Sequence, residues 1–140
     1  MDGAKIAVEI LQSIAETLRT DDRVRTVEYI DEKRDRQTQL VATIDEERYP
    51  QAVESVRIEI QWYRNGWFNV HYIETHESDV WQCRWDRHAN THSSPAHFHP
   101  PPSAGEPVDT TFSTDYRDVV SMVFAAIEDR VEALWSNESR

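Results

Sequence analysis

The clearest periodicity along the chain lies between Val56 and Ile73, where Val56, Ile58, Ile60 and Trp62 alternate with Arg57, Glu59, Gln61 and Tyr63. Period-two alternation sends the two sets of side chains to opposite faces, so this segment predicts a half-buried strand. Arg64-Asn65-Gly66 then turns the chain into a second strand, Trp67–Ile73. The length of the turn decides which faces meet. A two-residue Asn65-Gly66 loop would set Ile60 opposite His71 and Trp62 opposite Asn69. A three-residue loop, with Gly66 left-handed in a bulge, sets Trp62 beside Phe68, Ile60 beside Val70 and Ile58 beside Tyr72. Only the second arrangement makes one continuous apolar face, and a one-residue slip turns every side chain over. The three-residue loop is therefore the expected one.

The next strand, Val80–Asp86, is expected to send Trp81, Cys83 and Trp85 into the same core. Gln82, Arg84 and Asp86 then share the opposite face with Glu59, Gln61, Asn69 and His71. Upstream, Val24–Ile30 and Leu40–Ile44 are strand-like, joined by a charged turn around Lys33–Asp35. Met1–Thr20 reads as a helix, with Ile6, Ile10, Ile14 and Leu18 at four-residue spacing and Ala7, Leu11 and Ala15 widening the stripe. Glu46–Ser55, with Pro50, is a connection of unassigned form. Ala89–Val108 lacks periodicity, is rich in Pro, Ser and His, and is expected to be one long loop. Asp115 is the expected cap of a final helix through Trp135, whose stripe is Val119, Val120, Val123, Phe124, Ile127, Val131 and Leu134. These elements predict a single α+β domain over residues 1–140, an antiparallel sheet of about five strands flanked by an N-terminal and a C-terminal helix.

Charge changes the picture of the surroundings. The chain carries 26 acidic against 15 basic residues, a formal −11, and its only lysines are Lys5 and Lys33. A dense carboxylate surface holds hydration and counterions, and its self-repulsion is quenched once the Debye length falls to ~3 Å near 1 M salt. This balance predicts a halophilic protein. It also opposes nucleic-acid binding at ordinary ionic strength, an objection that loses force in molar salt. No apolar run approaches the ~20 residues needed to span a bilayer, and Met1–Ala15 does not resemble a signal peptide, so a cytoplasmic location is expected. Cys83 is the only cysteine, which leaves no intrachain disulfide and no cysteine-rich zinc site.

Histidine is the outlier. Of six in the chain, His88, His92, His97 and His99 crowd together. Imidazoles serve as acid–base groups near neutrality and as metal ligands. In an extended His97-Phe98-His99, both rings fall on one side of the chain. A third ligand from His92, His88 or Asp86 would complete a divalent-metal site, although the spacing matches no zinc finger or HExxH helix. Arg84, Asp86 and His71 form a second group on the sheet face away from the core. Arginine beside an acid–base histidine suits phosphodiester chemistry, guanidinium balancing developing charge while imidazole moves protons. Against both stands the plainer reading of a solvated strand face and a polar loop. Tyr63 and Trp67, beside the turn, are the aromatics best placed to stack on bases; alternation assigns Trp62, Trp81 and Trp85 to the core. With three glycines and no phosphate-cradling loop, a nucleotide-binding fold is not expected.

Arg84-Trp85-Asp86, then His88 and His92, then Pro95-Ala96-His97-Phe98-His99 resemble the TumE-like toxin family over about residues 56–100. The pattern is an aromatic strand ending in Arg/Tyr-Asp, clustered histidines, and a proline-flanked His-x-His. His92 is followed here by Ser93 rather than a second histidine, and the N-terminal helix is an addition to the pattern. The resemblance implies the toxic partner of a helix-turn-helix antitoxin, with RNA as the target. It assigns Asp86 to the family's aspartate, His92 to its clustered histidine, and His97 and His99 to the terminal pair. The candidate catalytic set is therefore His92, His97, His99, Arg84 and Asp86, with a divalent metal as candidate cofactor. The alternatives are a non-catalytic interaction module, homodimeric in its simplest form, and a small metal-binding protein of a halophile.

Overall fold

The computed structural model describes residues 5–32, 37–88 and 96–138. Strands β1 (Val24–Glu32), β2 (Gln37–Ile44), β3 (Val53–Trp62), β4 (Phe68–His76), β5 (Val80–Arg87), β6 (Ala96–His99) and β7 (Val108–Asp109) form one antiparallel sheet in chain order. Helix α1 (Val8–Arg19) precedes the sheet and α2 (Tyr116–Glu138) follows it. The class is α+β, but among the described residues the sheet has seven strands rather than five. The two additions come from the stretch expected to be a long loop. Ala96–His99 pairs with β5 and Val108–Asp109 pairs with β6. The sequence of β6 hides this, because Ala96 and Phe98 make an apolar alternation only two residues long whose other half is histidine.

The hairpin register is the three-residue one. Trp62 pairs with Phe68, Ile60 with Val70 and Ile58 with Tyr72. Tyr63 N donates to Trp67 O at 2.8 Å, Gly66 N donates to Tyr63 O at 2.9 Å, and Gly66 has φ +88°. Trp62 and Phe68 stack with ring centroids 4.7 Å apart. Both helices contribute to the core on this face of the sheet, α1 through Leu11, Ile14, Ala15 and Leu18, α2 through Val119, Val123, Phe124 and Ile127. Cys83 and Trp85 are buried there as expected, and burial pushes the Cys83 thiol up to about 12. Trp81 is only partly buried, at the margin of the core, where the Arg130 guanidinium lies over its ring at 3.8 Å.

Helix α1 starts later than its apolar stripe suggested. Ile6 bridges to Tyr63 and Ala7 N donates to Trp62 O, so residues ahead of Val8 run beside β3 instead of coiling. At α2, Asp115 Oδ1 accepts from Arg117 N at 2.9 Å, the cap expected of it. The connection of unassigned form contains a short 3₁₀ turn, Glu46–Arg48, before β3 begins at Val53. The turn around Lys33–Asp35 lies outside the described residues, as do the first four residues of the expected N-terminal helix. No described helix is long and apolar enough to cross a membrane.

Candidate functional site

Pairing across the sheet assembles the site on the face turned away from the helices. β4 and β5 set Asn69 opposite Asp86 and His71 opposite Arg84. β5 and β6 set Asp86 opposite His97 and Arg84 opposite His99, with Trp85 and Phe98 paired on the core side. An extended Ala96–His99 does place both imidazoles on one side, and the strand pairing aims that side at Asp86.

Asp86 is the centre. Its carboxylate is 3% exposed, a burial few ionisable side chains have without partners. Oδ2 accepts from His99 Nε2 at 2.9 Å and, at 3.3 Å, from Arg84 Nε. His99 Nδ1 donates to the carbonyl of Gly105 at 3.1 Å. His99 Nε2 also lies 3.3 Å from the terminal nitrogen of Arg84, so Arg84, Asp86 and His99 form one contact set. Around Oδ1, His97 Nδ1 lies at 3.4 Å and His88 Nε2 at 3.5 Å. The far nitrogen of His97 faces Asp109 Oδ1 at 3.6 Å. His97 is itself 2% exposed, whereas the His88 side chain is 52% exposed.

Of the predicted set, Arg84, Asp86, His97 and His99 come together. His92 lies outside the described residues. His71, placed in a group with Arg84 and Asp86, is turned elsewhere: its Nε2 bonds Gln82 Oε1 at 2.8 Å and its Nδ1 faces Glu59 at 3.7 Å. Asp109 went unnoticed in sequence because only the β6–β7 pairing brings it to His97. A cleft of about 310 Å³ adjoins the cluster, with Tyr63, Trp67, Asn69, Asp86, Arg87 and His88 among its walls. The two aromatics singled out beside the turn thus share a cavity with the Asp86 carboxylate. Arg87 is held back from that role, donating to the carbonyls of Gly66, Phe112 and Ser113.

A family model for the toxin TumE matches residues 12–131. The chain belongs to the TumE toxin family. Membership makes it the toxin type of a toxin–antitoxin system and implies an antitoxin partner. The TumE match runs well beyond the motif of residues 56–100, taking in α1 from Gln12 onward and most of α2. The N-terminal helix is therefore largely part of the family pattern and not an addition to it. No curated protein and no solved structure gives a significant match to the chain.

A second charged network sits on the core side of the sheet and was missed in the sequence. Glu74 is fully buried, and Arg130 of α2 grips it through Nε and the terminal nitrogen at 2.9 and 2.7 Å. Tyr72 donates to Glu74 Oε2 at 2.9 Å, so Tyr49, 2.8 Å from the Tyr72 hydroxyl, donates to Tyr72 in turn. His76 completes the set. Burial pushes the Glu74 carboxyl up, but the hydrogen bonds from Arg130, His76 and Tyr72 outweigh it and hold the group below the ordinary carboxylate range. Two signals pointed here. Glu74 continues the even-numbered core positions of β4, and Arg130 follows Val123 and Ile127 on the buried side of α2.

Proposed function

We propose that this TumE-family toxin acts on RNA, with the polar sheet face around Asp86 as its reaction centre. One observation carries the reading: Arg84, His97 and His99 all lie within 3.4 Å of a single buried carboxylate. Acid–base catalysis needs its groups within reach of one reacting centre, and a strand pair supplies that placement rigidly. Arg84 binds the phosphate, its side chain being one-third exposed. His97 and His99 supply the imidazoles for proton movement, and Asp86 orients them. Tyr63 and Trp67 offer a base a stacking surface at the other side of the adjoining cleft, which fits a single-stranded substrate. A helix-turn-helix protein is the antitoxin we expect it to bind.

The test is RNA cleavage in vitro and growth arrest on expression, for the parent, the His97→Ala/His99→Ala double variant and Arg84→Gln. Removal of acid–base groups should lower cleavage by roughly 10²–10⁴-fold and relieve arrest, with far-UV circular dichroism unchanged. Arg84→Gln leaves both histidines in place and guards against a loss that is merely unfolding. A parent that cleaves no RNA and arrests no host would return the chain to the other reading, an interaction module whose histidines are structural.

A further inference from the structure

The spacing around Asp86 Oδ1 does not fit hydrogen bonding. Charge-assisted N–H···O bonds close to about 2.7–2.9 Å, yet His97 Nδ1 and His88 Nε2 stop at 3.4 and 3.5 Å. Oδ1 is buried and accepts no hydrogen bond at all. Its cross-strand neighbour Asn69 has a buried side-chain oxygen in the same condition. A buried acceptor without a donor costs about 1–3 kcal/mol, a cost that an electropositive ligand on Oδ1 would offset.

We propose that Asp86, His88 and His97 bind one divalent transition-metal ion of the zinc class. The three ligand atoms, Oδ1, Nε2 and Nδ1, all lie within 4.8 Å of one another. With bonds of ~2.0–2.1 Å, a tetrahedral ion holds its ligands about 3.3–3.4 Å apart, close to the two distances measured here. Two imidazoles and one carboxylate form the donor set of a borderline ion, and a hard ion such as magnesium would ask for more oxygens. The outer partners are in place. His99 and Arg84 hold Asp86 by Oδ2, leaving Oδ1 for the metal, and Asp109 faces the far nitrogen of His97. Asp86, His88 and Asn69 also border the cleft, so the ligand set lies beside the place where a substrate would lie. The site deepens the RNA reading, on which it rests: a bound ion would add a Lewis acid to the same centre with His97 as its ligand, leaving proton movement to His99, but metal binding is measured without RNA and fails or holds independently of it.

Full-length protein stripped with chelator is titrated with Co²⁺, followed by competition with Zn²⁺. The expected result is one equivalent bound with the intense visible absorption of four-coordinate Co²⁺, displaced by Zn²⁺, and a raised melting temperature in Zn²⁺. His88→Ala removes a half-exposed ligand and should leave the apo fold intact while weakening binding by more than about tenfold, at least the effect of losing an orienting partner. Asp86→Asn should abolish the band, and His71→Ala should keep it. A pale six-coordinate Co²⁺ spectrum in the parent, or affinity and thermal shift unaltered by His88→Ala, would overturn the site.

Discussion

Gly66 and Glu74 show how single residues carry more than their share of this fold. At Gly66 an added Cβ would meet nothing within 4 Å, so crowding is not the issue. The cost of a side chain there is the positive φ alone. Gly66→Ala should lower unfolding free energy by roughly 1 kcal/mol in urea; an unchanged midpoint would show that the loop relaxes to another turn. Glu74 is the opposite case, a charge that stays buried because its partners are complete. Arg130→Met should cost about 3–5 kcal/mol at pH 7 by stranding that charge, and adding Glu74→Leu should recover most of it. The pH dependence has a definite sign. Because the folded Glu74 pKa lies below its ordinary 4.5, the stabilisation is complete above that value and is lost as pH falls through the folded pKa. Urea midpoints between pH 3 and 6 should fall less steeply toward acid in Glu74→Gln than in the parent. Parallel curves would remove Glu74 from the account.

At the scale of elements, α2 is fastened at its start, its middle and near its end. Asp115 caps it, Glu74 grips Arg130, and the Trp135 indole donates to the Arg48 carbonyl at 2.8 Å. Asp115→Ala should destabilise by about 0.5–2 kcal/mol, read as a lower melting temperature; no change would mean that Ser113, which bonds Asp118 and the Asp115 amide, caps the helix unaided. Strand β6 is the element on which the site depends. It pairs with β5 over only four residues, yet those pairs bring two histidines to Asp86. Beyond it, Gln82 exchanges backbone hydrogen bonds with Pro102 and Ala104, which ties the following turn to the free edge of β5. A segment that reads as loop is thereby held as sheet.

For the whole molecule, net charge is the property on which salt acts. At a formal −11 the surface repels both itself and any polyanion. If that charge is an adaptation to salt, the melting temperature should climb as KCl rises from ~0.1 M toward ~1 M, where the Debye length shrinks to ~3 Å. A flat or falling curve would leave an ordinary acidic protein. On the proposed RNA reading, the same screening would also weaken the repulsion of a polyanion from the site.

Local pattern was enough wherever one physical requirement admitted one answer. Alternation over Val56–Ile73, together with the need for an unbroken apolar face, dictated the hairpin register and with it Trp62 beside Phe68. Four-residue spacing located both helices, and strand periodicity placed Arg84 and Asp86 on one face and His97 and His99 on one side of an extended segment. What pattern could not supply was the meeting of those two pairs. Ala96–His99 has only Ala96 and Phe98 as apolar positions, too little periodicity to announce a strand, and it becomes one because β5 presents an unpaired edge beside it. That pairing carries His97 and His99 to Asp86, brings Asp109 behind His97, and leaves His71 with Gln82. The burial of Glu74 is decided in the same way. Its parity put it on the core face, but only Arg130, arriving from a helix far along the chain, makes a charge there tolerable.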